Sequence, residues 1–299
     1  MMMSSGKILI TGAGGMLGSM VAQDLIAQGL SVITTGRNPP DRPLSVQQVC
    51  GDLRDAGFVH QLVSASKVSA ILHLAAVIPG RQSGDHDFTG NVGMTRNLLS
   101  AARAASVMRF VLASSVAVYG TAGGPFNEHQ ELGGAGPYPE SKIAEERLLE
   151  EAVKEGWLSG CALRVAAPYG GRPSVMTVIN KFLTQAASGQ HITVFGGGTR
   201  EQHFVHVSDV ARAFYLALNS EVCGAFNLSG PAPVSMLSLA QLCVSALGTG
   251  SEIQMTGTDP QESFRGCYPW ALAHERFGYT PATDLAEGLV RTAAIMGLR

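Results

Sequence analysis

The sequence predicts a doubly wound, parallel α/β sheet with a smaller lobe following it, and three observations carry that expectation. In the first half, short β-rich runs alternate with stretches whose apolar residues recur at three-to-four spacing, the pattern of βαβ units. The first run passes straight through a glycine-rich turn into a helical pattern. Beyond Pro168-Tyr169-Gly170-Gly171 the alternation loosens into loops and shorter elements, which marks a change of architecture.

Taken in order, strands are expected at 7–11, 31–35, 46–49, 70–75, 109–114 and 161–166. Helices are expected between them at 15–28, 56–64, 90–105 and 139–155. The second half is expected to hold helices at 174–187, 208–219, 236–246 and 284–296. This divides the chain into a sheet domain at 1–166 and a second lobe at 167–299, with some later segments returning to the sheet. No internal repeat or low-complexity linker separates the two, so a cleft between them is the expected site.

Composition narrows the function classes. With 299 residues, 45% hydrophobic and 15% charged, the chain can bury a sizeable core. Twenty-one basic against 23 acidic side chains leave a formal charge of -2, with no general attraction to nucleic acid or anionic lipid. Cys50, Cys161, Cys223, Cys243 and Cys267 form no Cys-x-x-Cys pair and read as reduced core residues. No apolar run reaches the roughly 18 residues of a membrane helix, and the N-terminus lacks a signal-peptide pattern, so a cytoplasmic location is expected.

The run Lys7-Ile8-Leu9-Ile10-Thr11 leads into Gly12-Ala13-Gly14-Gly15-Met16-Leu17-Gly18 and then a helix. Glycines there permit a tight turn and close backbone approach to a pyrophosphate, while the helix N-terminus supplies unpaired N–H donors. A dinucleotide is therefore the expected cofactor. An acidic side chain about 20 residues beyond the glycines would accept hydrogen bonds from a ribose 2′-OH. This chain has Gly36 in that place and Arg37 beside it, where a guanidinium suits a 2′-phosphate, so NADP is expected, with NAD possible.

The Gly-x-x-Gly-x-x-Gly spacing resembles that of the extended short-chain dehydrogenase/reductases, the NAD-dependent epimerase/dehydratase family. The resemblance continues through Gly51-Asp52-Leu53, His73-Leu74-Ala75-Ala76, Asn91-Val92-Gly93-Met94-Thr95, Val194-Phe195-Gly196-Gly197-Gly198 and Phe204-Val205-His206-Val207-Ser208-Asp209. It implies a Rossmann-type dinucleotide-binding fold. It also implies that Gly12, Gly15, Met16, Leu17, Gly18, Asp52, Leu53, Leu74, Ala75 and Ala76 line the dinucleotide. Helices at 90–105 and 139–155 match those that form a four-helix interface in related proteins, implying a homodimer.

Proton transfer at a carbinol by tyrosine needs a cation to stabilise the phenolate. Tyr138 and Lys142, four residues apart at the start of a helical stretch, share one helical face and supply that pair. Upstream, Ala113-Ser114-Ser115-Val116-Ala117-Val118-Tyr119-Gly120 resembles the family's serine motif, in which the last serine hydrogen-bonds the substrate; that residue is Ser115, with Ser114 the alternative. Ser115, Tyr138 and Lys142 are thus the expected catalytic set, with Tyr138 and Lys142 also contacting the dinucleotide. Asn91 is expected near the nicotinamide or substrate. His203 and His206 are expected on opposite strand faces, and His73 as a packed strand-end residue.

Family dehydratases carry an Asp-Glu pair after the serine or threonine, where this chain has Val116 and Ala117. The diphosphate-gripping arginine of nucleotide-sugar members is replaced by Gln202, leaving Arg200 as a displaced clamp. The expected activity is a reductase or dehydrogenase acting on a sugar, sugar derivative or related hydroxy-carbonyl compound. The alternatives are a nucleotide-sugar epimerase and a non-catalytic NADP-sensing regulator.

Overall fold

The computed structural model describes residues 6–38, 44–79, 88–121, 124–171 and 176–299. The first half runs β1 (Lys7–Thr11), α1 (Met16–Ala27), β2 (Val32–Gly36), β3 (Gln47–Cys50), α2 (Ala56–Ala65), β4 (Val68–His73), α3 (Thr89–Ala104), β5 (Arg109–Ser115), α4 (Pro137–Lys154) and β6 (Ser159–Val165). The second half adds β7 (Ala167–Tyr169), α5 (Val178–Ala187), β8 (Ile192–Phe195), β9 (Glu201–His206), α6 (Val207–Leu218), β10 (Gly224–Leu228), β11 (Pro233–Ser235), α7 (Met236–Leu247), β12 (Ile253–Thr256), β13 (Arg265–Gly266), α8 (Ala271–Phe277) and α9 (Leu285–Ile295).

A seven-stranded parallel sheet in the order β10-β6-β5-β4-β1-β2-β3 forms the centre of this Rossmann-type fold. Strand alternation assigns its two faces. Ile8 and Ile10 pack with Val21 and Leu25 of α1 and Val210 and Phe214 of α6, whereas Leu9 packs with Val59 and Leu62 of α2 and Leu98 of α3. Each such buried side chain contributes about 1.5–3 kcal/mol. A third core joins α5, α7 and α9 through Leu183, Leu239 and Leu289 beneath β9. Strand β9 is flanked by β7, β11 and β13, and β8 pairs with β12.

Some boundaries move for local reasons. The strand expected at 70–75 ends at His73, because the N–H groups of Leu74 and Ala75 turn to the Thr11 hydroxyl instead of a strand partner. The helix expected at 139–155 starts at Pro137, since a first-turn proline needs no acceptor for a missing N–H. Thr177 caps α5, which starts later than the expected 174; residues 174 and 175 lie outside the described ones. The cysteines are all free, and the expectation that they fill the core is corrected: Cys161 and Cys243 are buried, but Cys50 and Cys223 are exposed. Among the described residues no helix is long and apolar enough to cross a membrane.

Strand order reverses direction between β1 and β4, so the C-terminal ends of β1, β4 and β5 open onto one crevice, the usual ligand position in such sheets.

Candidate active site

The crevice floor is the turn after β1. Gly12 has φ +73°, and a Cβ there would lie 2.7 Å from the Ala75 nitrogen; one on Gly18 would lie 2.2 Å from the Gly12 carbonyl oxygen. Only glycine lets the turn close this tightly against the β4 exit loop. Gly15 occupies the N-cap of α1 and offers no side-chain acceptor, which leaves first-turn N–H groups available to an anion. Met16 and Leu17, both half-buried, begin the helix. The cradle fits a dinucleotide pyrophosphate.

At the far end of the crevice Gly36 closes β2 and Arg37 is exposed just beyond it. The Arg54 guanidinium binds Asp52 through Nη2 at 2.6 Å and Nε at 3.0 and 3.1 Å. That hydrogen bonding holds the Asp52 carboxyl below the usual carboxylate range, against the opposing effect of partial burial, and the Arg37 charge adds to it. Beside them the buried Thr35 hydroxyl and Gln48 amide nitrogen have no hydrogen-bond partner among the described residues, which suits a polar ligand edge. The Leu53 side chain is buried, and its carbonyl accepts from Asn97.

The adjacent serines at the end of β5 diverge. Ser114 donates to Glu146 at 2.5 Å, and Glu146 is gripped by Arg164 at 2.7 Å. Ser115 is half-buried; its oxygen accepts from the Ala117 N–H at 3.2 Å in a short 3₁₀ turn, leaving the hydroxyl proton for another acceptor. Tyr138 stands in the first turn of α4, half-buried and edge-on to Phe88 with centroids 5.9 Å apart. One turn on, Lys142 is 2% exposed, and its ammonium donates to the Ala113 carbonyl at 3.0 Å. Burial alone would depress the Lys142 pKa, but the charges of Glu145, Tyr138 and Glu146 more than offset it and raise it.

Sequence reasoning missed Glu145. It is fully buried, with carboxylate oxygens 3.2 and 3.3 Å from the Lys142 nitrogen. Its i+3 spacing from Lys142 was the available signal, because residues 142 and 145 share a helix face. His73, expected as a packed strand-end residue, lies in the same pocket between Thr11 at 2.8 Å and Thr95 at 3.1 Å. Burial, aided by the Lys142 charge, lowers the His73 pKa to about 3, so the ring is neutral.

Asn91, expected near the nicotinamide or substrate, has its polar side chain engaged within the protein. Its side chain is fully buried, accepting from the Val77 N–H at 2.7 Å and donating to the Val77 carbonyl at 3.1 Å and to Ser141 at 3.2 Å. Ser141 in turn donates to the Tyr138 carbonyl at 2.8 Å, so Asn91 ties the β4 exit loop to the turn bearing Tyr138. Arg200 is engaged by Asp259 at 3.1 Å and by Gln261 at 3.1 Å. His203 and His206 are both buried, and the Nδ1 atoms meet the Tyr268 N–H and Ser208 respectively.

Known proteins resemble the chain over this whole arrangement. It is 28% identical over 256 residues to an uncharacterized protein of Sinorhizobium fredii, aligning 84% of this chain and spanning 63% of that longer protein. It is 25% identical over 308 residues to an uncharacterized UDP-glucose epimerase of Bacillus subtilis, covering 97% of this chain and 98% of the relative. The solved UDP-glucose 4-epimerase of Thermus thermophilus in complex with NAD superposes with a TM-score of 0.84 at 25% identity, over 97% of this chain and 99% of that one. The family model for NAD dependent epimerases and dehydratases matches residues 8–229, and the chain belongs to that family of enzymes.

Proposed function

We propose that this enzyme transfers hydride at a hydroxyl-bearing carbon of a sugar, sugar derivative or related hydroxy-carbonyl compound, with Ser115, Tyr138 and Lys142 as its catalytic residues and NADP as its preferred dinucleotide. The carrying observation is Tyr138 one helical turn before Lys142, whose buried ammonium donates to the Ala113 carbonyl near the end of β5, where among the described residues the Ser115 hydroxyl has no acceptor for its proton. In the oxidation direction Tyr138 takes up the substrate hydroxyl proton as general base, and Lys142, one turn on, is placed to hold the dinucleotide beside it. Ser115 donates to the reacting oxygen and opposes its drift from the tyrosine. A nicotinamide held in this crevice would supply the hydride acceptor or donor. Val116 and Ala117 offer no acid or base, which disfavours dehydration.

The NADP preference rests on Gly36 and Arg37 at the end of β2. A second reading, nucleotide-sugar epimerisation on retained NAD, is favoured by the full-length likeness to epimerases; Gln202 in the place of the diphosphate-gripping arginine and the Arg200–Asp259 pair count against it. Purified protein offered sugars, sugar acids and nucleotide-sugars with each dinucleotide separates the two. Net nicotinamide absorbance change with NADP supports the first reading; epimer formation without net change, on NAD carried through purification, replaces it with the second. Free thiols at all five cysteines support a reducing, cytoplasmic setting. Assembly through α3 and α4 as a homodimer is expected to give a dimer mass by light scattering, and a monomer at micromolar concentration would remove it.

A further inference from the structure

Glu145 takes no part in the proton transfer described above, yet a buried carboxylate is costly unless its lone pairs are used. Besides Lys142, it is bonded by Thr95 of α3. Thr95 donates to Glu145 Oε2 at 2.9 Å, and the carboxylate can only accept. The single Thr95 proton is thereby committed, so its contact with His73 Nε2 at 3.1 Å has the ring nitrogen as donor. The neutral ring then accepts at Nδ1, and the Thr11 hydroxyl donates to it at 2.8 Å. With that proton used, the Thr11 oxygen accepts the N–H groups of Leu74 at 3.1 Å and Ala75 at 3.0 Å. Each link leaves the next a single choice, and the charge on Glu145 sets the direction of the whole series.

We propose that Glu145 is a positioning residue that holds both sides of the nicotinamide end of the dinucleotide site: the Lys142 ammonium directly, and the Leu74–Ala75 backbone through Thr95, His73 and Thr11. This rests on the reading of Lys142, Leu74 and Ala75 as dinucleotide contacts. The arrangement joins α4, α3, β4 and β1, and so couples the catalytic lysine to the loop beside the glycine turn. Gly12 packs on the same Ala75 backbone, so a shift of that loop reaches the turn without passing through the substrate lobe.

Nitrogen NMR of histidine-labelled protein, assigned with His73→Asn, tests the direction without any substrate. The wild type is expected to hold His73 as the Nε2–H tautomer alone; an Nδ1–H ring overturns the proposal. Fluorescence titration with NADH and NADPH tests the consequence. Thr95→Val and Glu145→Gln are expected to weaken both dinucleotides by about tenfold, the effect of losing one hydrogen bond's positioning, whereas Thr95→Ser keeps wild-type affinity and tautomer. Folded Thr95→Val and Glu145→Gln proteins that bind as tightly as wild type overturn it, as does a Thr95→Ser protein as weak as Thr95→Val. Failure of the underlying reading looks different: neither dinucleotide binds the wild type, or Lys142→Ala leaves affinity unchanged, while the tautomer is still the one expected.

Discussion

Glu145 and Glu146 are neighbours on α4, and each meets a cation, but their networks run in opposite directions across the sheet, toward β1 and toward β10. Glu146 meets Arg164 through two guanidinium nitrogens and accepts from Ser114; Arg164 continues to the Tyr119 hydroxyl and the Glu128 carbonyl, and Tyr119 to Asn227 on β10. The planar guanidinium spreads its donors over carboxylate, phenol and backbone, and its partners are strand and loop groups that tie β5, β6 and β10 together. Glu145 meets an ammonium, of whose three donors the Ala113 carbonyl and the carboxylate use two. The Arg164 pair spends four of its five N–H donors on Glu146, Tyr119 and Glu128. The other keeps a donor beside Tyr138. A buried ion pair is informative about function when its cation retains unused hydrogen-bonding capacity toward a crevice.

The largest expected effect separates these roles by stability. Arg164→Met strands the Glu146 charge in the core and is expected to cost about 3–5 kcal/mol of unfolding free energy in urea, while the surviving folded fraction binds dinucleotide normally. If the loss is below about 1 kcal/mol, the Glu146 side is not the structural member of the comparison.

Tyr138→Phe is expected to cut turnover by about 10²- to 10⁴-fold, with dinucleotide affinity unchanged, because the ring packing on Phe88 survives and only the hydroxyl proposed to transfer the proton is lost. Near-normal turnover on a substrate found in the panel would assign the proton transfer elsewhere.

The neutral histidines sharpen the contrast through pH. His73 titrates near pH 3 and His203 near 4, both lowered first by burial. Their unfolded values are near 6.5, so below that pH the unfolded chain binds protons that the folded chain does not. Stability is therefore expected to be steady above pH 7 and to fall as the pH drops from about 6.5 toward 4, by up to about 1.4 kcal/mol per unit for each ring. His73→Asn should flatten the slope in urea titrations at several pH values; an unchanged slope would mean that the ring is charged in the folded state.

The smallest expected effect lies at the adenosine end. Arg37→Ala should reduce a preference for NADPH over NADH by about tenfold, as for loss of one charge-assisted contact. Equal affinities in the wild type would leave Arg37 an ordinary surface arginine.

Much of this architecture could be read directly because it is local. The glycine turn, the Tyr138–Lys142 spacing and the alternating apolar faces of β1 each lie within one or two elements, where sequence order and spatial order coincide. The contacts of Asn91 could not be read from the sequence, because Val77 and Ser141 reach it only after α3 and α4 pack. Glu145 has a local partner in Lys142, three residues away, but its other partner, Thr95, comes from α3 and continues to His73 on β4, and that part is set only by packing. The exposed Cys50 ends the edge strand β3 and Cys223 lies in the loop before β10, where cysteine's preference for burial has nothing to act on.

Strand β10 arrives from the second half of the chain and completes the sheet beyond β6, carrying Phe226 and Leu228 into the core beneath α6. The two halves are consequently interlocked, and the chain cannot be treated as a cassette pair joined at one seam. A graft that moves a relative's substrate lobe onto this cofactor half is expected to need residues 207–228 kept with the recipient. A truncation at 166 would leave β6 as a bare edge, with Cys161 and Leu163 uncovered, and should precipitate instead of folding.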